Sequence, residues 1–160
     1  MDALAELTRW HEVFDLSVAY TTAIDWRDWE SYRAIFTDEL DIDFSSFTHR
    51  PAQPMTADQW VDAVRSLIEG FEATQHLLGN HVITFDGEDA GHYTAYIQAQ
   101  HWMARDSYYT IGGHYENKVA RGSDGRWRLT AMTLHQTWDA GDRSLLRAAA
   151  DRVRSRGAVR

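Results

Sequence analysis

The 160-residue chain contains no cysteine, which excludes disulfides, thiolate nucleophiles and cysteine-ligated metal sites and leaves histidine and carboxylates to carry polar chemistry. Proline is nearly as scarce, with Pro51 and Pro54 bracketing one loop, and no internal repeat or low-complexity stretch divides the chain. No apolar run approaches the roughly 18 to 20 residues that cross a bilayer, and Met1 to Trp10 lacks the basic-then-apolar pattern of a secretory signal. The expectation is a cytoplasmic protein without membrane contact. Basic residues are also in deficit: 16 Lys and Arg against 24 Asp and Glu give a formal charge of −8, the wrong sign for a phosphate-backbone binder, which argues against nucleic acid as a partner.

The chain has 44% hydrophobic, 12% aromatic and 25% charged residues, the balance of one globular domain. Its charge is uneven. Arg143 to Arg160 holds six arginines against one aspartate, a segment of +5 that leaves −13 on the rest. Residues 1–142 therefore read as the domain and 143–160 as an Arg-rich C-terminal element. Leu145, Leu146, Ala149 and Val153 have helical spacing and favour a capping helix over Ser144 to Ser155, the alternative being a basic arm for an acidic partner.

From Leu4 to Ile24, apolar residues recur every three or four positions without Gly or Pro, predicting a long first helix; a short second helix follows over about Asp28 to Phe36. Leu40, Ile42 and Phe44 alternate with aspartates as in a half-buried strand ending in the Pro51 to Pro54 loop. Thr56 then caps a third helix over Ala57 to Phe71, whose apolar stripe includes Trp60, Val61, Val64, Leu67 and Ile68. Beyond it, His76 to Phe85, Ala90 to Ala104, Ser107 to Arg121 and Arg126 to Trp138 are rich in β-branched and aromatic residues and are separated by turn sequences at Asp86 to Asp89 and Gly122 to Gly125. Helices first and an antiparallel meander afterwards describe an α+β fold in which a curved sheet packs its concave face over the helices and encloses a pocket.

Asp25 stands between apolar and tryptophan neighbours in Ala23-Ile24-Asp25-Trp26-Arg27-Asp28-Trp29. Asp28 is better placed to cap the second helix, which frees Asp25 for another task. His76 shares strand parity with Leu78, Asn80 and Val82 and is expected to face inward, either as a satisfied core residue or as a general base held by a carboxylate, for which Asp25 is the candidate. His101 shares parity with Tyr93, Ala95, Ile97 and Ala99, small enough in part to leave room for a ligand, while Thr94, Tyr96, Gln98, Gln100 and Trp102 form an outer surface apolar enough to pair with another subunit. The spacings of His76 with His81 and of His92 with His101 put each pair on opposite faces, which disfavours metal binding. No Gly-x-Ser-x-Gly elbow is present, and Gly112-Gly113 reads as a bulge rather than a phosphate cradle.

Taken together, Ala23 to Trp29, Leu40 to Phe44, Ala73-Thr74-Gln75-His76-Leu77-Leu78-Gly79-Asn80, Ala99 to Trp102, and Gly113 to Asn117 followed by Asp124-Gly125-Arg126-Trp127-Arg128 resemble the SnoaL-like group of the nuclear transport factor 2-like superfamily. The resemblance covers nearly the whole chain. It implies a cone-shaped half barrel, a bent, mostly antiparallel mixed sheet around three helices, and a homodimer through the outer sheet surface. Within the superfamily, the Tyr-Asp-x-Lys-Asp-Trp and Gln-His-x-x-Gly segments of scytalone dehydratases are similar to Ile24 to Trp29 and Gln75 to Gly79, which places that family's catalytic aspartate on Asp25, its catalytic histidine on His76 and its second histidine on His101. Dehydrochlorinases and steroid dehydratases of the superfamily use an Asp and His pair of the same kind.

Two departures stand out. The family's positioning tyrosines fall on Ile24 and Phe44, neither of which donates a hydrogen bond, and its fourth-strand Ser and Asn fall within Gly113 to Asn117, on His114, Tyr115, Glu116 or Asn117. The implied function is a cofactor-free lyase or isomerase for a hydrophobic cyclic or aromatic small molecule. His76 would remove a proton, Asp25 would orient it, and His101 with a polar residue near Tyr115 would donate to developing charge. Ile24, Phe44 and Asn117 would complete the substrate site, with no metal. A polyketide cyclase-like aldol catalyst and a non-catalytic binding or dimerisation module are the alternatives.

Overall fold

The computed structural model describes residues 3–157. Helix α1 (Ala3–Trp26) and the short α2 (Trp29–Ala34) lead into strand β1 (Phe36–Asp43). One turn of helix, α3 (Ser45–Thr48), and a short strand β2 (Gln53–Thr56) precede α4 (Ala57–Ile68). The meander follows as β3 (Ala73–Phe85), β4 (Ala90–Ala104), β5 (Ser107–Arg121) and β6 (Trp127–Gly141), and α5 (Ser144–Gly157) closes the fold. The sheet is open and six-stranded in the order β2-β1-β6-β5-β4-β3, antiparallel except for the parallel β1–β6 pair. This is the expected α+β half barrel.

Several boundaries differ from those read in the sequence. Strand β1 starts at Phe36 rather than Leu40, because pairing with Leu129 of β6 takes Phe36 out of the preceding helix. The Pro51 to Pro54 stretch is only partly a loop. Gln53 to Thr56 pair with β1, and Pro54 is tolerated there because β2 is an edge strand that does not need every N–H. Asp28 caps α2 as expected, accepting from the Ser31 N–H at 3.1 Å, and Thr56 with Gln59 forms a capping box at the start of α4.

The concave face of the sheet packs Tyr93, Ala95, Ile97, Ala99, Ile111, Tyr115, Leu129, Met132 and Leu134 against Val13, Leu16, Tyr20 and Ile24 of α1 and Trp60 and Ile68 of α4. The C-terminal element is a helix docked on the fold. Ala149 of α5 lies so close to Gly70 that a Cβ there would meet the Ala149 carbonyl oxygen at 2.1 Å, and Arg152 donates to the Gly70 carbonyl at 3.1 Å.

Strand β3 departs from simple alternation. Between Gly79 and Val82 it carries one residue more than β4 opposite, and Asn80 takes the left-handed conformation (φ 53°). The bulge reverses the parity downstream, so His81, Ile83 and Phe85 turn inward with His76 while Asn80 and Val82 face solvent. The expectations that Asn80 and Val82 share the face of His76, and that His81 opposes it, are thereby corrected. His92 and His101 do lie on opposite faces, one exposed and one buried.

Candidate active site

Asp25 sits in the last turn of α1, whose end is fixed by a Schellman pair: Asp28 N–H donates to the Ala23 carbonyl at 2.9 Å and Arg27 N–H to the Ile24 carbonyl at 3.1 Å, with Arg27 left-handed (φ 58°). The Arg27 guanidinium donates to the Phe71 carbonyl at 2.8 Å, tying this helix end to the segment that enters β3. That tether sets Asp25 against His76.

The negative end of a helix is an unfavourable place for a carboxylate, and the donors that compensate all come from β3. Asp25 Oδ2 accepts from the His76 backbone N–H at 2.7 Å, and Oδ1 accepts from His76 Nδ1 at 2.7 Å and from the Thr74 hydroxyl at 2.9 Å. Burial alone would raise the Asp25 pKa, but these hydrogen bonds and the His76 charge outweigh it and hold the carboxyl below its ordinary value. The side chains are only 7% (His76) and 18% (Asp25) exposed. With Asp25 ionised, Nδ1 carries the proton and donates, so the neutral ring presents an unprotonated Nε2. No described residue hydrogen-bonds that nitrogen.

His76 lines a cavity of about 200 Å³ together with His101, Tyr20, Tyr115, Ile24 and Phe44. Trp60, Val64, Leu67 and Ile111 complete a mostly apolar wall. The structure thus brings together six of the seven side chains singled out in the sequence, Asp25 standing behind His76. The exception is Asn117. It is fully buried, donates to the Tyr93 hydroxyl at 2.8 Å and is not part of this cavity, because its strand position matches Tyr93 and lies beyond Tyr115 along β5.

His101 lies 5.5 Å from His76, ring centre to ring centre and edge-on. Its Nδ1 donates to the Tyr109 carbonyl at 3.2 Å, since a carbonyl only accepts. Burial, reinforced by the charge of His76, pushes its pKa down to about 4, so it is neutral near pH 7. The expected role of donor to developing charge is therefore corrected: Nε2 of this tautomer has no proton to give and acts as an acceptor.

Two phenols stand elsewhere on the cavity wall. The Tyr20 and Tyr115 hydroxyls stand 3.4 Å apart, both buried and both on the cavity wall. One donates to the other, and the Tyr20 hydroxyl also interacts with that of Tyr32. Burial holds both phenols well above their ordinary pKa, so they remain donors. Tyr20 reads in the sequence as one more apolar position of α1. The available signal is its spacing four residues before Ile24, which puts it on the same helical face. Thr74 was hidden too, although strand parity two residues from His76 points it at the same carboxylate.

A SnoaL-like domain model matches residues 5–133. An uncharacterised protein of Mycobacterium tuberculosis is 26% identical over 130 residues, 81% of this chain and 86% of that one. Among solved structures, the Kfla4162 protein from Kribbella flavida superposes with a TM-score of 0.83 at 28% identity, over 89% of this chain and 99% of its own. A candidate scytalone dehydratase from Novosphingobium aromaticivorans gives 0.76 at 18% identity over 88% and 92%, and the hexachlorocyclohexane dehydrochlorinase LinA-type3 from Novosphingobium barchaimii gives 0.74 at 14% over 89% and 95%. With a family match across most of its length and the open half barrel described above, the chain belongs to the SnoaL-like domain family of the nuclear transport factor 2-like superfamily.

Proposed function

We propose that the protein is a cofactor-independent lyase or isomerase in which His76 is the general base. The observation that carries this reading is the buried Asp25–His76 pair, with the carboxylate on Nδ1 and Nε2 unpartnered among the described residues at the wall of an apolar cavity. Two ionisable groups buried together are costly unless they are hydrogen-bonded, and here the Nδ1 bond fixes one tautomer of His76 while Thr74 and the His76 backbone N–H hold the carboxylate.

The cavity, about 200 Å³, is smaller than the roughly 300–1,000 Å³ of drug-sized sites. It suits a substrate of one ring held by Phe44, Trp60, Ile24 and Leu134. His76 Nε2 takes a proton from the carbon next to a carbonyl or next to the carbon bearing the leaving group. The electron pair of that C–H bond becomes an enolate or the new double bond, and in the second case the leaving group departs with its own pair. Asp25 stabilises the resulting imidazolium without taking its proton. A phenol O–H of the Tyr20–Tyr115 pair donates to the oxygen or halide on which charge builds, and His101 Nε2 accepts from a substrate hydroxyl. Ile24 and Phe44 contribute shape alone, so water or carbonyl positioning rests on Tyr20 and Tyr115. The dehydratase and dehydrochlorinase among the structural neighbours support elimination as the first class to assay.

The test is a panel of β-hydroxy ketones, cyclic alcohols and chlorinated cyclohexanes, followed by the ultraviolet absorbance of the new double bond. His76→Gln is expected to lower kcat/KM for any turned-over substrate by about 10²–10⁴-fold, the usual worth of a positioned general base. Undiminished turnover in that variant would refute the assignment. Saturable binding of the panel by the wild type with no chemical change would transfer the site to a ligand-binding module.

A further inference from the structure

The convex face of the sheet carries a polar cluster that this chemistry does not use. His114 and Glu116 lie two residues apart on β5 and so project from one face, and His135 of β6 is the direct cross-strand partner of His114. The two imidazoles are stacked, 4.7 Å between ring centres and 19° between planes. One donor atom from each of the three residues lies within 4.8 Å of the other two, and His135 Nε2 stands 3.6 Å from Glu116 Oε2. That Nε2 is covered from solvent and makes no hydrogen bond among the described residues.

Zinc bonds of about 2.0–2.2 Å in tetrahedral geometry place neighbouring donors roughly 3.3 Å apart. The His135–Glu116 separation is within a few tenths of an ångström of that value, and the remaining gap lies within reach of a ring rotation. Paired strands fix the backbone at all three positions. Two imidazoles and one carboxylate form the donor set of borderline divalent transition ions, whereas magnesium and calcium take oxygen ligands. In the single chain the His135 and Glu116 side chains are 42% and 59% exposed.

We propose that His114, Glu116 and His135 form a binding site for one divalent transition-metal ion, on the sheet face opposite the Asp25–His76 cavity. The cross-strand pairing also explains why single-strand histidine spacings gave no sign of it.

The experiment uses untagged full-length protein, cobalt as a spectroscopic probe and zinc in competition with a chromophoric chelator. The expected result is one zinc per chain and a visible cobalt d–d band of tetrahedral intensity. Both should be lost in His135→Gln and weakened in Glu116→Gln. His92→Gln, which removes the exposed His92–Asp86 pair (3.0 Å), should bind as the wild type does. Absence of the cobalt band, unchanged stoichiometry in a folded His135→Gln or His114→Gln variant, or one ion per two chains would each overturn the site. Circular dichroism of the variants separates loss of ligand from loss of fold.

Discussion

Burying a neutral histidine makes acid stability a readout of the candidate site that needs no substrate. His101 is 4% exposed, donates Nδ1 to the Tyr109 carbonyl and titrates near 4, against about 6.5 for an imidazole in the unfolded chain. Between those values the unfolded state holds one proton more than the folded state. Stability then rises with pH at about 1.4 kcal/mol per unit and falls by the same amount on acidification. Across the window from about 6.5 down to about 4 the loss is on the order of 3 kcal/mol, a large part of the net stability of a small domain. Below that window the His101 contribution is flat. Asp25 acts there instead: its lowered pKa supplies stability that is present above the unfolded value of about 3.9 and lost as pH falls through the folded one. His81, also lowered by burial, adds to the slope in the same direction as His101. The informative quantity is therefore the difference between wild type and His101→Gln, whose side chain retains a donor for the Tyr109 carbonyl. Urea unfolding at pH 7, 6, 5 and 4.5 is expected to give a wild-type midpoint that drops faster than that of the variant, the two curves converging or crossing in acid. Parallel curves, or an NMR titration of the His101 ring with a midpoint near 6.5, would refute the reasoning.

Asp25→Asn removes the charge that supports the imidazolium and can present its amide N–H₂ to Nδ1, favouring the wrong tautomer; kcat should fall by about 10⁴-fold, as in other carboxylate-oriented histidines, and an unchanged kcat would remove Asp25 from the mechanism. Gly70→Ala drives a methyl into the Ala149 carbonyl. The atoms met are backbone rather than the end of a flexible side chain, so a loss of about 3 kcal/mol, the upper end of ordinary overpacking, together with faster proteolysis within α5 is expected in thermal melts and limited digestion. The outer face exposes Leu77, Tyr96, Tyr108 and Trp138, and we propose that two copies pair there. Sedimentation velocity at micromolar concentration should then give twice the 18.4 kDa chain mass, and a single 18.4 kDa species would exclude it.

Much of this arrangement was legible without coordinates, and the reason differs from residue to residue. The strand parity of His101 with Tyr93, Ala95, Ile97 and Ala99 survives because β4 pairs with β5 without interruption across those positions, and alternation alone then decides facing. Asp25 was legible because Asp28 already satisfied the next helix cap. What escaped depended on partners distant in sequence. Strand β1 begins at Phe36 through a pairing with Leu129, a contact that no local period contains. The direction of the His101 hydrogen bond follows from the Tyr109 carbonyl on the neighbouring strand. Asn117 has the composition of a ligand-binding residue, but its amide is taken by Tyr93.

The single added residue between Gly79 and Val82 makes β3 two half-strands of opposite phase joined end to end. The first half is clocked by the Asp25 carboxylate, through His76 and Thr74, and the second by the helix core, through His81 bonded to Ser17 at 2.9 Å. A substitution in either half stays confined to its own clock. Deleting one residue at positions 79–81 would instead force the two onto a common phase, turning out either His76 or the core side chains of Ile83 and Phe85. The site and the core of this strand can therefore vary independently in side chain but not in length.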